Sequence, residues 1–142
     1  MGVSVPTVAV SSDEQDVQDV LTRYKAALEA RDLTGVEALF AEDNEVLENG
    51  KVEGSYADYR DHHIGPELAH ITSFAFADYK VRTRVVGDVA LTTETYRYTI
   101  QLKDTVDPIV RQAVATNVLT RVDGRWKILS HHSSSRVPKP KT

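Results

Sequence analysis

Two adjacent histidines, His62 and His63, follow Tyr59 in a segment with helical character. A histidine that faces a pocket can accept and donate protons near neutral pH, because its unperturbed pKa lies close to that value. Neighbouring residues of a helix point about 100° apart, so only one of the pair can face a given pocket. We predict that His62 or His63 acts there beside Tyr59. The alternative is one exposed histidine and one packed in the core.

A second pair, His131 and His132, lies in the last predicted strand. Successive side chains of a strand point to opposite faces, so His132 shares a face with Trp126, Ile128 and Ser134. Because Trp126 and Ile128 are large and apolar, we expect that face to be the interior. This predicts His132 as a catalytic residue and Ser134 as a ligand-binding one, although a β-bulge would reverse part of the assignment. The alternative for His132 is a buried structural histidine.

Two further polar residues are candidates for binding a ligand. Glu48 follows the apolar pair Val46 and Leu47 and stands just before an Asn-Gly turn, where its carboxylate could pair with a histidine or a cation. The alternative is an ordinary solvated charge on a hairpin. Asn117 is a lone amide among small and apolar strand residues, so its side chain is a candidate hydrogen-bond donor to a ligand.

A metal site is the third possibility for these residues. Glu48, one of the helix histidines and His132 could supply three ligands, which is the usual number for catalytic zinc. The chain has no short ligand signature such as His-Glu-x-x-His, so such a site would need three distant elements to converge. We therefore predict no metal and no cofactor. Nucleophilic or zinc-binding thiolates are excluded because the chain has no cysteine.

Helices are predicted in the first half of the chain. Apolar residues recur at helical spacing from Ser12 to Ala30, and a shorter helix begins after Asp32. Asn49-Gly50 predicts a tight hairpin. Ser55 can cap a third helix that runs to about His63, where Gly65-Pro66 interrupts or ends it.

Long strands are predicted in the second half. Turn signals divide it into four strands, and neighbouring hairpins of this length predict an antiparallel sheet. Helices followed by such a sheet make an α+β domain. The predicted strands are Phe74–Val86, Val89–Leu102, Ile109–Val122 and Arg125–Val137.

Three stretches of the sequence resemble one known group of proteins. They are Leu33–Asp43, then Val46–Gly50 with Tyr59–His63, and finally Asp123–Ile128 with His132–Arg136. Together they are similar to the SnoaL-like superfamily of the nuclear transport factor 2 fold, which includes the ketosteroid isomerases. The second stretch resembles a subgroup with a Tyr-x-x-His-His helix. The resemblance implies a cone-shaped fold, with a curved antiparallel sheet wrapped around the N-terminal helix.

The resemblance also implies a pocket inside the cone. It points to His132, and it places a donor tyrosine on the first helix, where Tyr24 stands. The superfamily holds isomerases, cyclases, dehydratases, hydrolases and members that only bind or assemble, so fold alone does not select among them. We predict a domain that binds a small, partly apolar molecule. The alternative is a cofactor-free isomerase, lyase or hydrolase that uses histidine acid–base chemistry.

Length and charge limit the remaining possibilities. A chain of 142 residues fits one domain, which we place at 12–137 between flexible tails at 1–11 and 138–142. A net charge of −4 without a basic patch argues against nucleic acid. No apolar run is long enough to span a bilayer. A cytoplasmic location and export after loss of a signal both remain open. The resemblance implies a homodimer through the outer face of the sheet.

Overall fold

A computed structural model describes Gly2 and residues 12–140 of the chain. The predicted N-terminal tail, 1–11, lies outside the described residues apart from Gly2, and so do the last two residues of the predicted C-terminal tail. Within the described part of the chain, no helix is long and apolar enough to cross a membrane.

The first helix, α1, spans Asp13–Ala30. It begins at Ser12, whose side-chain oxygen accepts a hydrogen bond from the backbone N–H of Gln15 and so satisfies one free donor of the first turn. It ends at Arg31, which adopts the left-handed conformation. The short second helix predicted after Asp32 is a single 3-10 turn, Val36–Leu39.

The predicted Asn-Gly hairpin joins β1 (Phe40–Glu48) to β2 (Lys51–Gly54). Both turn residues have positive φ, 49° at Asn49 and 84° at Gly50, which a tight hairpin requires. The hairpin places Glu48 at the end of β1, immediately before the turn. The side chain of Asn44 accepts a hydrogen bond from the N–H of Tyr56, which fixes the start of the next helix against β1.

The third helical segment has an irregular centre. It consists of α2 (Tyr56–Tyr59), a π-helical turn (Arg60–Ile64) and α3 (Gly65–Leu68). The N–H of Gly65 donates to the carbonyl oxygen of Arg60, five residues back. A Cβ atom at position 65 would collide with that oxygen, so the turn requires glycine. The interruption predicted at Gly65-Pro66 therefore takes the form of a wider turn, and the helix continues beyond it.

The four long strands are β3 (Ile71–Val86), β4 (Val89–Leu102), β5 (Ile109–Val122) and β6 (Arg125–Arg136). They form one six-stranded sheet with β1 and β2, in the order β2-β1-β6-β5-β4-β3. The pair β1–β6 is parallel and all other pairs are antiparallel, so the sheet is mixed rather than wholly antiparallel as predicted. The reason is that the chain crosses to the far edge of the sheet after β2 and returns to β1 only with its last strand. The predicted α+β cone fold is confirmed.

Helix α1 packs mainly against β3 and β6 on the concave face of the sheet. Its buried side chains Val17, Leu21 and Tyr24 meet a core that includes Phe40, Tyr56, Leu119, Trp126 and Ile128. The aromatic rings of β3 and β4 lie beside this core, and Phe74 and Tyr98 are only partly buried against it.

Candidate functional site

A cavity of about 480 Å³ opens between α1, the segment Tyr56–Leu68 and the concave face of the sheet. Its lining combines aromatic rings with an unusual number of ionisable groups. The aromatic residues are Tyr24, Tyr59, Phe74, Phe76, Tyr96 and Tyr98; the ionisable ones are Glu48, Glu53, Glu67, Glu94, His63, His131, Lys25 and Lys51.

One group of these residues surrounds His63, and we call it the His63 cluster: His63, Glu48, Glu53, Glu67 and Tyr59. The ring atom Nδ1 of His63 lies 2.6 Å from Glu53 Oε1. Its Nε2 lies 3.0 Å from Glu67 Oε2 and 3.3 Å from Glu48 Oε2. The hydroxyl of Tyr59 donates to the other oxygen of Glu48, at 3.1 Å. Hairpin and helix thus bring three carboxylates to one imidazole.

The carboxylates decide the charge of His63. Burial works against its positive charge, but the hydrogen bond to Glu53 and the charges of Glu48, Glu53 and Glu67 together raise its pKa. Burial likewise works against the charge of Glu53, yet the hydrogen bond and charge of His63 lower the pKa of that carboxyl. Burial raises the pKa of Glu48, against the opposing effects of His63 and Tyr59. The cluster therefore favours the protonated form of the imidazole and places beside it a carboxyl group whose pKa is raised.

The same cluster could hold a divalent cation. Among the described residues, Glu48, Glu53 and His63 form a group in which the possible ligand atoms all lie within 4.8 Å of one another. Carboxylate oxygens with an imidazole nitrogen suit several divalent ions. A protonated His63 balances the negative charge of the same carboxylates without a metal ion. His132, the third ligand of the metal site considered from the sequence, does not line this cavity.

The second histidine of the cavity is His131, on β6. Its Nδ1 lies 2.6 Å from Oδ1 of Asn117, whose amide nitrogen donates to Glu94 Oε1 at 2.7 Å and to Thr92 Oγ1 at 3.0 Å. Since that nitrogen is the amide's donor, Oδ1 must accept, and Nδ1 of His131 carries the hydrogen. Nε2 is then the unprotonated atom. The ring of Tyr24 stacks on the imidazole at 5.4 Å between centroids.

A chain of hydrogen bonds continues behind this imidazole, from His131 through Asn117 and Glu94 to the hydroxyl of Tyr79; we call it the His131 chain. Burial, with a contribution from His132, lowers the pKa of His131 to about 4, so the ring is neutral near pH 7. Burial raises the pKa of Glu94, against the hydrogen bonds from Tyr79 and Asn117. Glu94 is only 6% exposed.

The orientation predicted for His132 is wrong. Leu119 of β5 pairs with Ile128 of β6, but the preceding residue of β5, Val118, pairs with Ser130. Leu129 is therefore an extra residue that forms a bulge in β6. Trp126 and Ile128 are buried as predicted, but beyond the bulge His131 faces the cavity and His132 is exposed on the outer face. The bulge reverses the alternation, which is why the neighbouring residue occupies the predicted position.

The other predicted residues divide into three groups. Tyr24, Glu48, Tyr59 and His63 line the cavity together, whereas His62 is exposed and does not line it. Ser134 is exposed as well, although it touches the cavity. Asn117 is 2% exposed and lies behind His131 instead of facing the cavity directly.

Six of the eight ionisable residues of the cavity were not predicted: His131, Glu53, Glu67, Glu94, Lys25 and Lys51. One of them had a visible signal. Glu94, Tyr96 and Tyr98 are every second residue of β4, so their side chains lie on one face of the strand. A carboxylate beside two aromatic rings on a strand face is unusual. The position of His131 had no such signal, because nothing in the residue types marks the bulge.

Solved structures of other proteins share this architecture. A candidate ketosteroid isomerase from Shewanella frigidimarina is 28% identical, with a TM-score of 0.71, over 84% of this chain and 94% of that one. A candidate dehydratase of the nuclear transport factor 2-like family from Streptomyces avermitilis is 23% identical, with a TM-score of 0.76, over 89% and 97%. A hexachlorocyclohexane dehydrochlorinase of type 2 is 17% identical, with a TM-score of 0.74, over 89% and 87%.

No curated protein sequence matches the chain. The SnoaL-like domain family matches residues 17–138, which include α1 from Val17 onward, the hairpin, the Tyr56–Leu68 segment and all four long strands. That range contains every residue of the His63 cluster and the His131 chain. The chain therefore has the fold of the nuclear transport factor 2-like proteins and belongs to the SnoaL-like domain family.

Proposed function

We propose that the cone binds a small, partly apolar organic molecule. The observation that carries this proposal is the cavity itself, whose volume of about 480 Å³ falls in the range of small-molecule sites. One side of it is apolar and aromatic, and the other carries the His63 cluster. Such a division suits a ligand with an apolar body and one polar end.

The apolar side is a continuous surface of four rings, Phe74, Phe76, Tyr96 and Tyr98, which we call the aromatic wall. Neighbouring ring centroids lie 4.9 to 6.3 Å apart across β3 and β4. Rings at these distances already stabilise one another, so the wall is in place before a ligand arrives. A preformed surface favours binding because little ordering is needed.

Titration of small aromatic and alicyclic fragments, followed by NMR, tests this proposal. Fragments should shift the signals of Tyr24, Tyr59 and Phe76, which lie around the cavity. The variant Ala113→Leu adds three carbon atoms inside the cavity and should weaken binding at least about tenfold, the effect of 1.4 kcal/mol. Ala75→Leu makes the same change at an exposed position of β3 and serves as the control. Equal binding to both variants would refute the proposal.

A second function, proton transfer on the bound molecule, is favoured by the His63 cluster. His63 in its protonated form is the donor, Glu48 is the acceptor, and the Tyr59 hydroxyl holds Glu48 in place. An acid and a base that share one enclosed site can catalyse isomerisation or elimination without a cofactor. We propose these roles for His63, Glu48 and Tyr59, with Tyr24 as a ligand contact.

The test of this second function is deuterium uptake at carbon. Small ketones and β-hydroxy ketones are incubated with the protein in D₂O, and mass spectrometry measures exchange or loss of water. His63→Gln should lower the rate about 100-fold or more, the usual contribution of a positioned acid or base. His62→Gln alters the exposed neighbour and should stay within about twofold of the wild type. An equal loss in both variants would count against a role for His63.

We also propose that the outer face of the sheet pairs with a second copy of the chain. Leu91 and Val114 are 43% and 42% exposed on that face, and apolar residues grouped on a sheet surface favour contact. Light scattering should give the mass of a dimer at micromolar concentrations. Val114→Lys should yield monomers, whereas Val137→Lys, beyond the end of β6, should not.

A further inference from the structure

Glu94 is a buried carboxylate that lacks a cationic partner. Its oxygens accept hydrogen bonds from the hydroxyl of Tyr79 and the amide of Asn117, both of which are neutral. Among the described residues, no lysine, arginine or histidine forms an ion pair with it. A carboxylate that is only 6% exposed is costly to ionise unless a positive charge compensates for it.

Glu94 lines the cavity together with Tyr96. The hydroxyl of Tyr79 donates to Glu94, and the ring centroid of Tyr79 lies 6.1 Å from that of Tyr96, so two tyrosine rings border the carboxylate. Aromatic faces attract cations through the negative charge of their π electrons. A carboxylate bordered by tyrosine rings is therefore a favourable environment for a positively charged group.

Lys25 shows that these rings already accept a cation. Its Nζ lies 5.3 Å from the centroid of Phe76 and 5.4 Å from that of Tyr79. The counter-ion of Lys25 is Glu29, at 2.8 Å, one turn further along α1. The lysine therefore occupies the edge of the aromatic surface without neutralising Glu94.

We propose that the ligand of this cavity carries a cationic nitrogen, a protonated amine or a quaternary ammonium, that lies against the aromatic wall with Glu94 as its counter-ion. The inference rests on the proposed function, because it requires that the cavity bind a small molecule. It adds the charge of that molecule and the residue that recognises it.

The other charged side chains of the cavity also favour a positively charged ligand. Four glutamates line the cavity, and its basic side chains, apart from the neutral ring of His131, are His63, Lys25 and Lys51. Each of these three already contacts a glutamate: His63 contacts Glu48, Glu53 and Glu67, Lys51 contacts Glu53, and Lys25 contacts Glu29. No basic side chain of the lining is therefore left over for an anionic ligand, while one carboxylate is left over for a cationic ligand.

Three probes of matched shape test the inference by calorimetry: (4-hydroxyphenyl)trimethylammonium, its neutral isostere 4-tert-butylphenol, and 4-hydroxybenzenesulfonate. The cation should bind the wild-type protein at least about tenfold more tightly than the neutral isostere, and the sulfonate should bind most weakly. NMR shifts at Tyr96 should locate the bound cation. Neutral and cationic probes of equal affinity would overturn the inference.

The variant Glu94→Gln assigns the effect to one residue. Glutamine keeps the size of the side chain, and the Tyr79 hydroxyl can rotate to accept from its amide. Affinity for the cation should fall about tenfold, whereas affinity for 4-tert-butylphenol should change by less than about twofold. Glu42→Gln, which removes an exposed carboxylate of β1, should leave both affinities unchanged. Thermal melting shows whether each variant is folded.

The outcomes separate this inference from the function on which it rests. If the neutral isostere binds in the cavity as tightly as the cation, the cavity is a small-molecule site and the inference is wrong. If Glu94→Gln weakens both probes equally, Glu94 shapes the cavity without recognising charge, and the inference is again wrong. If none of the three probes binds at millimolar concentration, the inference and the proposed function both fail.

Discussion

The cavity contains two histidines whose surroundings are opposite. His63 lies among three carboxylates, and its pKa is raised although burial works against the charge. His131 lies against a neutral amide and a tyrosine ring, and its pKa is lowered to about 4. The surroundings therefore favour the positive charge on His63, whereas His131 is a neutral ring near pH 7 with an unprotonated Nε2. The residue type is the same, so the difference comes entirely from the elements that carry it.

Those elements differ in how much water and charge they admit. His63 is carried by a helix that faces a hairpin at the mouth of the cone, and its side chain is 30% exposed. His131 is carried by a central strand and is enclosed except toward the cavity. A partly exposed site can gather carboxylates around a proton, whereas an enclosed strand site favours the uncharged ring.

The largest expected effect concerns the turn that carries His63. Gly65→Ala should destabilise the protein by about 3 kcal/mol, because the new Cβ collides with the carbonyl oxygen of Arg60 inside the π-helical turn. The NMR signals of His63 should move, while those of His131 and Asn117, held by strand pairing, should not. Urea denaturation measures the stability.

Gly35→Ala is the control for this variant. Gly35 has positive φ, but open space surrounds it, so a new Cβ would strain the backbone without a collision. The substitution should lower the free energy of unfolding by about 1 kcal/mol. Replacing an ordinary glycine inside a helix by alanine stabilises a protein by about 0.5–1 kcal/mol. A stabilised Gly65→Ala protein would therefore show that the π-helical turn does not constrain His63.

The next effect comes from protonating His131. Its folded-state pKa of about 4 lies below the unfolded value near 6.5, so the folded state binds fewer protons and stability falls as the pH falls between those values. The wild type should lose on the order of 2 kcal/mol relative to His131→Gln between pH 7 and pH 4.5. Urea denaturation of both proteins at the two pH values measures this difference.

His132→Gln provides the matched control, since it changes the exposed neighbour on the outer face. Its stability should follow that of the wild type closely over the same range, because burial contributes more than His132 to the low pKa of His131. If His132→Gln instead reproduced the behaviour of His131→Gln, the bulge at Leu129 and the inward orientation of His131 would both be in doubt.

Local patterns predicted most of the side of the cavity that carries His63. The spacing of apolar residues predicted α1, on which the family resemblance pointed to Tyr24, and Asn49-Gly50 predicted the hairpin that positions Glu48. Ser55 predicted the start of the helix that carries Tyr59 and His63. These features depend on residues a few positions apart, which is the range over which propensity and capping act.

The side that carries His131 could not be predicted in the same way. Its orientation depends on one extra residue at Leu129, and whether a strand bulges is decided by its partners on both sides. The parallel pairing of β1 with β6 joins residues about ninety positions apart, such as Phe40 and Ile128. Alternation along a strand predicts which residues share a face of the sheet. A single bulge moves every residue beyond it to the opposite face.

The smallest effect is the pH response of His63, and it should have the opposite sign to that of His131. The folded-state pKa of His63 is raised, so its stabilisation is complete below the unfolded value near 6.5 and is lost as the pH rises through the folded value. The gap in stability between wild type and His63→Gln should be larger at pH 6 than at pH 9. The change should stay below about 1 kcal/mol, because solvent screens a side chain that is 30% exposed. His62→Gln, measured by the same urea denaturation, should show no such change. A gap that grew with pH would mean that His63 is neutral among its carboxylates, and the contrast between the two histidines would disappear.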